Sequence, residues 1–260
     1  ITTFRLFLNI SIILFFNSNG ESIKMSQSLR LSYRLETVAK YIQKNSFLAD
    51  IGSDHAYLPV YCIQTQKARQ AIAGEVTKGP YDSAKKTVCQ YKLSDRIDVR
   101  LGNGFDVILG EAVECVTICG MGGQLIRDIL EHGKEKIPTV QRLVLQPNVA
   151  AYTIRKWAVQ NGWKLTAEEI LKEDHKIYEI LVLERTFKEM DATLDAKDLL
   201  FGPFLRKEKN EVFQEKWYRE LKKLSYVKKS LENAPQTTEN MRRLQEVVEE
   251  YQQIERILSK

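Results

Sequence analysis

The sequence predicts an α/β fold: a mostly parallel sheet that ends in an antiparallel hairpin and is followed by an antiparallel helical coiled-coil hairpin. Three observations predict it. Short β-rich runs alternate with helical runs up to Gln160, two extended runs follow Gly162, and long helical repeats occupy the chain past Arg185. A chain of 260 residues, 43% of them hydrophobic, is long enough to bury the core of such a fold.

Five strands and four helices alternate in the first part of the chain, after a helical run that starts near Leu31. The strands are predicted at Phe47–Ile51, Ala71–Glu75, Arg96–Leu101, Cys115–Cys119 and Arg142–Gln146, and the helices at Leu58–Gln66, Pro80–Tyr91, Gln124–His132 and Tyr152–Gln160. This alternation indicates right-handed βαβ units, with helices on both faces of a parallel sheet. The runs Trp163–Leu171 and Ile177–Glu184, joined by the polar Lys172–Lys176, predict the antiparallel hairpin.

The chain past Arg185 has helical periodicity. Apolar residues recur at steps of three and four in two stretches, which comprise Phe213, Trp217, Leu221 and Leu224, and then Met241, Leu244, Val248, Tyr251, Ile254 and Leu258. Asn233, Ala234 and Pro235 break the helix between them, and Thr237 or Thr238 is placed to cap the second helix. Two helices packed on each other in opposite directions account for this pattern.

The N-terminus differs from the rest of the chain. Phe4–Phe16 is a run of 13 mostly apolar residues that resembles a signal-peptide core and is too short to span a bilayer. Met25 opens the segment in which an amphipathic helix begins. We therefore predict that residues 1–24 are an upstream extension, with a signal or an apolar pairing segment as alternatives. The predicted domains are residues 25–187, an α/β domain, and residues 188–260, a helical coiled-coil domain.

Overall composition excludes little. The net charge of +5 is too small to argue for membrane or nucleic-acid binding by itself. The four cysteines, Cys62, Cys89, Cys115 and Cys119, show no paired spacing, which favours a reducing cytoplasm and gives no sign of a metal site. We expect a cytoplasmic protein without membrane or metal partners that is a monomer rather than an obligate oligomer.

The carboxyl ends of the strands carry an unusual share of glycine, carboxylate and amide groups. The segments are Asp50–His55, Gly74–Val76, Gly102–Phe105, Cys119–Gly123 and Gln146–Asn148. Open α/β sheets bind ligands at this edge. Glu75 follows Asp50 by 25 residues, near the offset at which a carboxylate reaches ribose hydroxyls, although a solvated strand-end carboxylate is the alternative. Gly102 and Gly104 flank Asn103, which suits a flat ring or an ordinary Asn-Gly turn.

The turn after the first strand argues against a phosphate ligand. It has a single glycine, Gly52, where dinucleotide-binding turns have three, and its two aspartates, Asp50 and Asp54, would repel a pyrophosphate and attract a cation. A ligand with a ribose, an adenine and a positive centre satisfies all the strand ends, and S-adenosylmethionine has these groups. The alternative is that Asp54 caps the following helix and His55 is a surface residue.

The sequence resembles the class I, Rossmann-like S-adenosylmethionine-dependent methyltransferases, and more narrowly the bacterial tRNA (adenine(22)-N(1))-methyltransferases. The resemblance covers most of Leu29–Lys260. It depends on five motifs in order: LADIGSDHAYLP (48–59), AGEV (73–76), RLGNGF (100–105), CGMGG (119–123) and LQPN (145–148). One departure from the broad class is that Asp54 and Ala56 replace its usual second and third glycines; the narrower family's first motif reads as this chain does.

The resemblance implies a role for each motif. Asp50, Gly52, Asp54 and His55 would flank the methionine part of S-adenosylmethionine, and Glu75 would hold the ribose hydroxyls. Val76, Asn103 and Gly104 would frame the adenine. Cys119, Gly120 and Met121 would line the side of the methyl donor. The implied partner is tRNA.

Methyl transfer to adenine N1 needs positioning more than acid-base catalysis, because N1 has a free lone pair and the reaction is an in-line displacement. The target base must be swung out of the RNA into the pocket. Gln146 and Asn148 are placed to orient its exocyclic amine, with a plain Pro-Asn helix entry as the alternative. Asp54 and His55 are further candidates near the base. The catalytic candidates are thus Asp54, His55 and Asn148.

Positive charge is concentrated near the start of the helical hairpin. The segment from Arg206 to Lys229 contains nine Lys and Arg residues and four Glu residues. Its net charge of +5 equals that of the whole chain. Beside Trp217, Tyr218 and Tyr226 this charge suits an RNA backbone, although coiled-coil flanks are often charged as well. The predicted RNA-binding residues are Arg30, Arg34, Lys216, Arg219, Lys222 and Lys223. The alternatives for the whole chain are a methyltransferase of another substrate and a non-catalytic nucleotide-binding adaptor.

Overall fold

A computed structural model describes residues 28–186 and 194–259, together with the backbone of two short strands near the N-terminus. The strands are β1 (Phe15–Phe16), β2 (Ser22–Ile23), β3 (Ser46–Ile51), β4 (Ala68–Glu75), β5 (Ile97–Leu101), β6 (Cys115–Met121), β7 (Arg142–Pro147), β8 (Trp163–Glu173) and β9 (Lys176–Arg185). β1 pairs with β2, and the other strands form a seven-stranded sheet in the order β5-β4-β3-β6-β7-β9-β8.

The helices of the described residues lie between and after these strands. They are α1 (Tyr33–Lys40), α2 (Tyr57–Gln64), α3 (Lys78–Gln90), α4 (Gly123–Gly133), α5 (Ala151–Gln160), α6 (Ala196–Phe201), α7 (Leu205–Glu208), α8 (Glu211–Glu232) and α9 (Thr238–Leu258), with 3-10 turns at Gly104–Ile108 and Lys134–Lys136. The predicted α/β alternation is confirmed, with element ends shifted by up to three residues. In the described part of the chain, no helix is both long and apolar enough to cross a membrane.

The first helix begins later than predicted. α1 starts at Tyr33 rather than near Met25 or Leu31, because the Ser32 hydroxyl accepts a hydrogen bond from the Leu35 amide at 3.3 Å and caps the helix there. The prediction that residues 1–24 are an upstream extension falls outside the described residues, apart from the backbone of β1 and β2. The predicted domain boundary after residue 187 also lies outside them and stays a prediction.

The chain divides into two compact units. The first consists of Ile1–Cys119 and Gly133–Val140, and the second of Gly120–His132 and Gln141–Lys260. In the first unit β3 pairs in parallel with β4 on one side and with β6 on the other, and β4 pairs in parallel with β5. The interior strand residues Leu48, Ile72, Val116 and Ile118 are buried and form its apolar core.

The antiparallel hairpin of the second unit is longer than predicted. β9 pairs antiparallel with both β7 and β8, and pairing continues as far as Glu173 and Lys176. Only Asp174 and His175 form the turn, and both have positive φ angles, 47° and 63°, as in tight two-residue hairpin turns. The five-residue loop Lys172–Lys176 predicted from polarity is therefore wrong, because polar side chains also occupy the exposed ends of the two strands.

The two long helices of the second unit form the predicted hairpin. The Lys209 ammonium, just before α8, donates to the carbonyl of Ile257 at the end of α9 at 2.9 Å, so the helices run in opposite directions. Thr237 caps α9 by accepting from the Asn240 amide at 3.2 Å. Their buried residues form one cluster with α6, α7 and β8, comprising Ile170, Phe201, Leu205, Phe213, Trp217, Leu224, Val247 and Ile254. Coiled-coil geometry in the strict sense stays a prediction.

A buried arginine joins four segments of the second unit. Arg155 of α5 has no exposed surface, and its Nε donates to Glu168 of β8 at 2.6 Å while its Nη2 donates to Glu179 of β9 at 3.0 Å. Its Nη1 donates to the carbonyls of Leu199 and Leu200 in α6 at 3.2 and 3.3 Å. These residues form the Arg155 network, together with the partners of the two carboxylates described next.

Each of the two carboxylates has a second hydrogen-bond partner, so every charged group of the Arg155 network is paired. Glu179 accepts from the Lys216 ammonium of α8 at 2.5 Å, and Glu168 accepts from the Phe204 amide at 3.1 Å. Burial would raise the pKa of Glu179, but Lys216 and Arg155 together hold it below its ordinary value. At Gly202, with φ of +83°, an added Cβ would lie 2.5 Å from a Glu168 oxygen, so only glycine fits there.

We expect Arg155→Met to lower the free energy of unfolding by about 3–5 kcal/mol, because it leaves two buried carboxylates without their shared cation. The matched control is Arg242→Met, which removes an exposed arginine paired with Glu239 and Glu246 on α9. The control is expected to unfold at the same urea concentration as the unmodified chain. Equal midpoints for the two variants in urea titrations followed by circular dichroism would contradict the role given to Arg155.

Candidate active site

The order of strands in the first unit changes direction between β3 and β6. From β3 the chain proceeds outward through β4 and β5, and then returns to place β6 on the other side of β3. The carboxyl ends of strands at such a switch point are where open α/β sheets bind ligands. Asp50 lies at this position on β3, paired in register with Thr117 of β6.

The turn after β3 has the backbone of a glycine-rich turn but contains one glycine, Gly52. Gly52, Asp54 and Ala56 have φ angles of 71°, 58° and 56°. Asp54 and Ala56 are the positions at which the broad methyltransferase class carries glycine, and side chains at left-handed φ cost about 1 kcal/mol or more each. The amides of Gly52 and Ser53 both donate to the Gly74 carbonyl, at 2.9 and 3.2 Å, and hold the turn against β4.

The Asp50 carboxylate lies inside the turn and is 4% exposed. It accepts hydrogen bonds from the hydroxyls of Ser53 and Thr117, both at 2.6 Å. Burial raises the pKa of Asp50, whereas the two hydroxyls and the nearby Arg34 guanidinium lower it. The hydrogen bonds of Asp50 therefore hold the turn in shape from its inner side. The positive charge of Arg34 favours the ionised form of Asp50.

Glu75, at the end of β4, is the second buried carboxylate of this group, with 5% of its surface exposed. One of its oxygens accepts a hydrogen bond from the Asp54 amide. Burial, joined by the charges of Asp54 and Asp50, raises the pKa of Glu75 to about 7 even though the hydrogen bond from the Asp54 amide lowers it. The alternative of a solvated strand-end carboxylate is wrong, because the side chain is enclosed.

Asp54 and His55 project from the turn. The Asp54 side chain is 75% exposed and its Oδ1 lies 3.7 Å from His55 Nε2. The His55 ring stacks on Tyr57 with centroids 5.2 Å apart. The N-cap residue of α2 is Ala56, without a side-chain cap, so the alternative that Asp54 caps this helix is wrong. Both side chains are left available to a ligand.

Apolar side chains are exposed beside Glu75. Val76 is 64% exposed, and Leu101, which pairs in register with Glu75, is 52% exposed. After β5 the chain turns through Asn103, which is exposed and makes no side-chain cap bond, and Gly104, with φ of 53°. Two exposed apolar surfaces with a glycine turn between strand ends suit the faces of a flat ring.

Cys119 ends the first unit and is half-buried, and the residues that follow it belong to the second unit. There the buried side chain of Gln146 accepts from the Gly120 amide at 3.1 Å and donates to Asn148 Oδ1 at 3.2 Å. The side-chain Nδ2 of Asn148 donates to the Gly120 carbonyl at 2.7 Å, and the backbone amide of Asn148 donates to the Met121 carbonyl at 2.7 Å. The two amide side chains thus fix Gly120, which has φ of 75°.

Asn148 is nevertheless open to solvent, and its neighbours are apolar. Val149 is 68% exposed and Leu125, in the first turn of α4, is 52% exposed. A Cβ on Gly123 would lie 2.2 Å from the Ala150 carbonyl oxygen, so the close approach of these chain segments requires glycine. The second unit therefore presents a polar amide flanked by exposed apolar side chains, a combination that suits contact with a nucleobase.

The predicted RNA-binding residues have different environments. Arg30 is exposed, and Arg34 is half-buried and acts on Asp50. Arg219, although exposed, pairs with Glu215, and the exposed Lys223 lies 2.9 Å from Glu220. Lys222 is exposed. The structure argues against the predicted RNA-binding role of Lys216, because its ammonium binds Glu179 in the Arg155 network. Trp217, which the sequence places in the apolar stripe of the first long helix, is only 4% exposed and packs inside the hairpin.

Sequence reasoning missed two groups of residues. Thr117 binds Asp50, and its signal is a hydroxyl inside the otherwise apolar strand β6. Arg155, Glu168 and Glu179 form the buried network, and their signal is charge at positions that the helical and strand periodicity places inside. The described residues contain no group of three His, Cys, Asp or Glu side chains able to hold a metal ion.

Comparisons with known proteins place the chain in a family. Residues 48–256 match the family model described as TrmK, tRNA (adenine(22)-N(1))-methyltransferase. The tRNA (adenine(22)-N(1))-methyltransferase of Bacillus subtilis is 44% identical over 234 residues, which are 88% of this chain and 98% of that protein. The crystal structure of B. subtilis TrmK matches with a TM-score of 0.83 and 44% identity, covering 88% and 99% of the two chains.

A Streptococcus pneumoniae protein solved in complex with S-adenosyl-L-methionine also matches, with a TM-score of 0.79 and 42% identity over 88% of this chain and 100% of that one. These similarities extend over nearly the whole described chain and agree with the chemistry of the strand ends. The chain belongs to the TrmK family of S-adenosylmethionine-dependent tRNA (adenine(22)-N(1))-methyltransferases.

Proposed function

We propose that the chain transfers a methyl group from S-adenosylmethionine to N1 of adenine 22 in tRNA, with the residues assigned below. The observation that carries the assignment is Glu75: a buried carboxylate with a pKa of about 7, bordered by the exposed apolar side chains of Val76 and Leu101. A carboxylate in this position accepts hydrogen bonds from both ribose hydroxyls, while the apolar side chains contact the adenine.

The side chains present fit this cofactor. Asp50, Asp54 and Glu75 give the first unit's strand ends a negative potential, which favours the ammonium and sulfonium groups over a pyrophosphate. Gly52, Asp54 and His55 are assigned to the methionine part, Val76, Asn103 and Gly104 to the adenine, and Cys119, Gly120 and Met121 to the side of the reacting methyl group. When bound, S-adenosylmethionine supplies an electrophilic methyl group on a sulfonium.

The protein's own contribution is to position the target base and to exclude water. Asn148 Oδ1 accepts a hydrogen bond from the exocyclic amine of the adenine, while Gln146 and Gly120 hold the Asn148 amide in place. Val149 and Leu125 cover the base. Adenine N1 is already a free nucleophile, so no side chain has to remove a proton before the transfer. Asp54 and His55 are kept as further catalytic candidates.

The RNA is held by basic side chains outside the pocket. We assign phosphate contacts to Arg30 and Arg34 near α1 and to Arg219, Lys222 and Lys223 on α8. Lys216 is not among them, because its ammonium is held by Glu179. We also assign the protein to the cytoplasm, since its four free cysteines would stay reduced there. That it is a monomer stays a prediction.

The test of the function is methylation of an unmodified transcript. The full chain is incubated with labelled S-adenosylmethionine and tRNA that has adenine at position 22, and the label is mapped by nuclease digestion. We expect one 1-methyladenosine at position 22. The control transcript has guanine at position 22 and is expected to stay unlabelled. Labelling of the control to the same extent would overturn the proposed target.

Glu75→Ala is expected to weaken cofactor binding by about 10–100-fold, because two hydrogen bonds to a charged acceptor are lost. Binding of S-adenosylhomocysteine, measured by isothermal titration, gives the constant without turnover. Since the ionised carboxylate is the better acceptor, raising the pH from 6 to 8 through a pKa of about 7 should tighten binding by about tenfold. Glu75→Gln should remove this pH dependence. A dependence that persists in Glu75→Gln would assign the titration to another group.

Asn148→Ala is expected to lower kcat/KM for tRNA by about 10–100-fold, because the base loses an acceptor and Gly120 loses a restraint. The dissociation constant of S-adenosylhomocysteine should change by less than about threefold. The matched control is Thr153→Ala, which removes a hydroxyl bound to the Ala150 carbonyl five residues further along. If the control lost as much activity as Asn148→Ala, the effect would be a general distortion of α5.

A further inference from the structure

Ion pairs divide the basic residues of α8 into two groups. Lys216 pairs with Glu179, Arg219 with Glu215, Lys223 with Glu220 and Lys228 with Glu232. Within the described residues, Lys222 and Lys229 are exposed and have no ion-pair partner. The count of nine basic residues that the sequence offers therefore overstates the free positive charge, and the free charge of α8 lies at two positions.

Lys222 and Lys229 share one face of α8 with two tyrosines. Tyr218, Lys222, Tyr226 and Lys229 follow each other at steps of four, four and three, which places them in one row along a helix. Tyr218 is 57% exposed and Tyr226 is 78% exposed. We call these four residues the α8 stripe. It alternates an exposed ring with a free ammonium over about three turns of the helix.

Packing of the helical hairpin does not account for the α8 stripe. The buried residues of α8 in the cluster with α9 and α6 lie on another face of the helix. They are Phe213, Trp217 and Leu224, with Val212, Leu221, Val227 and Leu231 packed against the cluster. The tyrosine rings are left in water, although burial would stabilise the fold. A single exposed apolar residue is ordinary, but two rings in register with two free cations form a surface with a chemical pattern.

We propose that the α8 stripe binds a stretch of unpaired nucleotides in the RNA substrate. Tyrosine rings stack on bases and ammonium groups bind phosphates. With a rise of 1.5 Å per residue, Tyr218 and Tyr226 are about 12 Å apart along the helix, and Lys222 lies midway. This spacing places two rings on bases of one strand with a phosphate between them. In a duplex the faces of the bases are stacked on each other, so the rings would find nothing to bind.

The charge of the neighbouring helix restricts the RNA to α8. Between Thr238 and Leu258, α9 has five Glu against three Arg, a net negative charge that repels a phosphate backbone. An acidic protein would use the cations of the α8 stripe but gain little from the faces of its rings. The alternation of rings and cations thus favours single-stranded RNA over an acidic protein surface. This inference depends on the proposed function only in taking the RNA to be the tRNA substrate.

The test compares binding of three RNAs by fluorescence anisotropy at fixed salt: unmodified tRNA, a 12-nucleotide oligoadenylate and a 12-base-pair duplex. We expect Tyr218→Ala with Tyr226→Ala to weaken binding of tRNA and oligoadenylate at least tenfold and to leave the duplex within twofold. Tyr218→Phe with Tyr226→Phe keeps the rings and should restore binding. Unchanged affinity of the alanine pair for oligoadenylate, or an equal loss for the duplex, would overturn the inference.

Charge has its own matched pair of variants on the helical hairpin. Lys222→Gln with Lys229→Gln removes the two free cations of α8. Lys228→Gln with Arg242→Gln removes two paired ones, so the net charge changes equally. We expect the first pair to weaken oligoadenylate binding several-fold more than the second. Equal losses would mean that only total charge matters, and would overturn the assignment to the α8 stripe.

The outcomes separate this inference from the proposed function. Suppose that the unmodified chain methylates tRNA and that the double alanine variant binds oligoadenylate with the same affinity as the unmodified chain. The proposed role of the α8 stripe is then wrong, and the proposed function stands. If the unmodified chain fails to methylate tRNA while the alanine pair loses oligoadenylate binding, the function is wrong and the stripe stands as an RNA-binding surface. The affinity for S-adenosylhomocysteine should be the same in all variants, which checks that the fold is intact.

Discussion

The interaction on which the second unit depends is the burial of one guanidinium. A guanidinium such as that of Arg155 is too costly to remove from water unless its charge is paired and its N–H groups find acceptors. Two carboxylates and two backbone carbonyls meet that requirement, and they come from β8, β9 and α6. Each carboxylate then needs its own second partner, which brings in the Phe204 amide and the ammonium of Lys216 on α8. A single buried charge thus fixes how the helices after the sheet are attached to it.

This constraint also decides what α8 presents to solvent. Because Lys216 is held toward β9 and Trp217 packs against Phe201 with centroids 4.6 Å apart, the rotation of α8 about its axis is set by two independent contacts. The opposite face, with Tyr218 and Tyr226, is then necessarily outside. The basic residues that cluster in the sequence of α8 therefore fall into two groups in the structure. Four of them form ion pairs, and Lys222 and Lys229 lie exposed in the α8 stripe.

The sequence was sufficient for the α/β alternation, for the helical hairpin and for the position of Glu75, because these depend on periodicity and on strand ends, which are local signals. It was insufficient for Lys216, because the partner of this lysine lies 37 residues away on β9. Asp54 was open to two interpretations for a similar reason. A helix cap and an exposed turn residue have the same sequence signature, and only the left-handed backbone at Ala56 distinguishes them. Local pattern fixes which residues reach an edge of the sheet, whereas tertiary pairing fixes which of them stay free.

The turn after β3 keeps the left-handed backbone that glycine favours, although Asp54 and Ala56 carry side chains there. The strained conformation of Asp54 persists because the preceding amides of Gly52 and Ser53 are bound to β4, so the turn has no relaxed alternative. In return, the Asp54 amide binds Glu75 while its carboxylate stays in solvent. The amide lowers the pKa of Glu75 and the aspartate charges raise it, on top of the effect of burial. A glycine at position 54 would keep the first contribution and lose the second. The charge of Asp54 thus adds to burial, which is the larger cause, in raising the pKa of Glu75 to about 7. The Glu75 carboxylate therefore ionises near neutral pH, and its ionised form is the better acceptor for ribose hydroxyls.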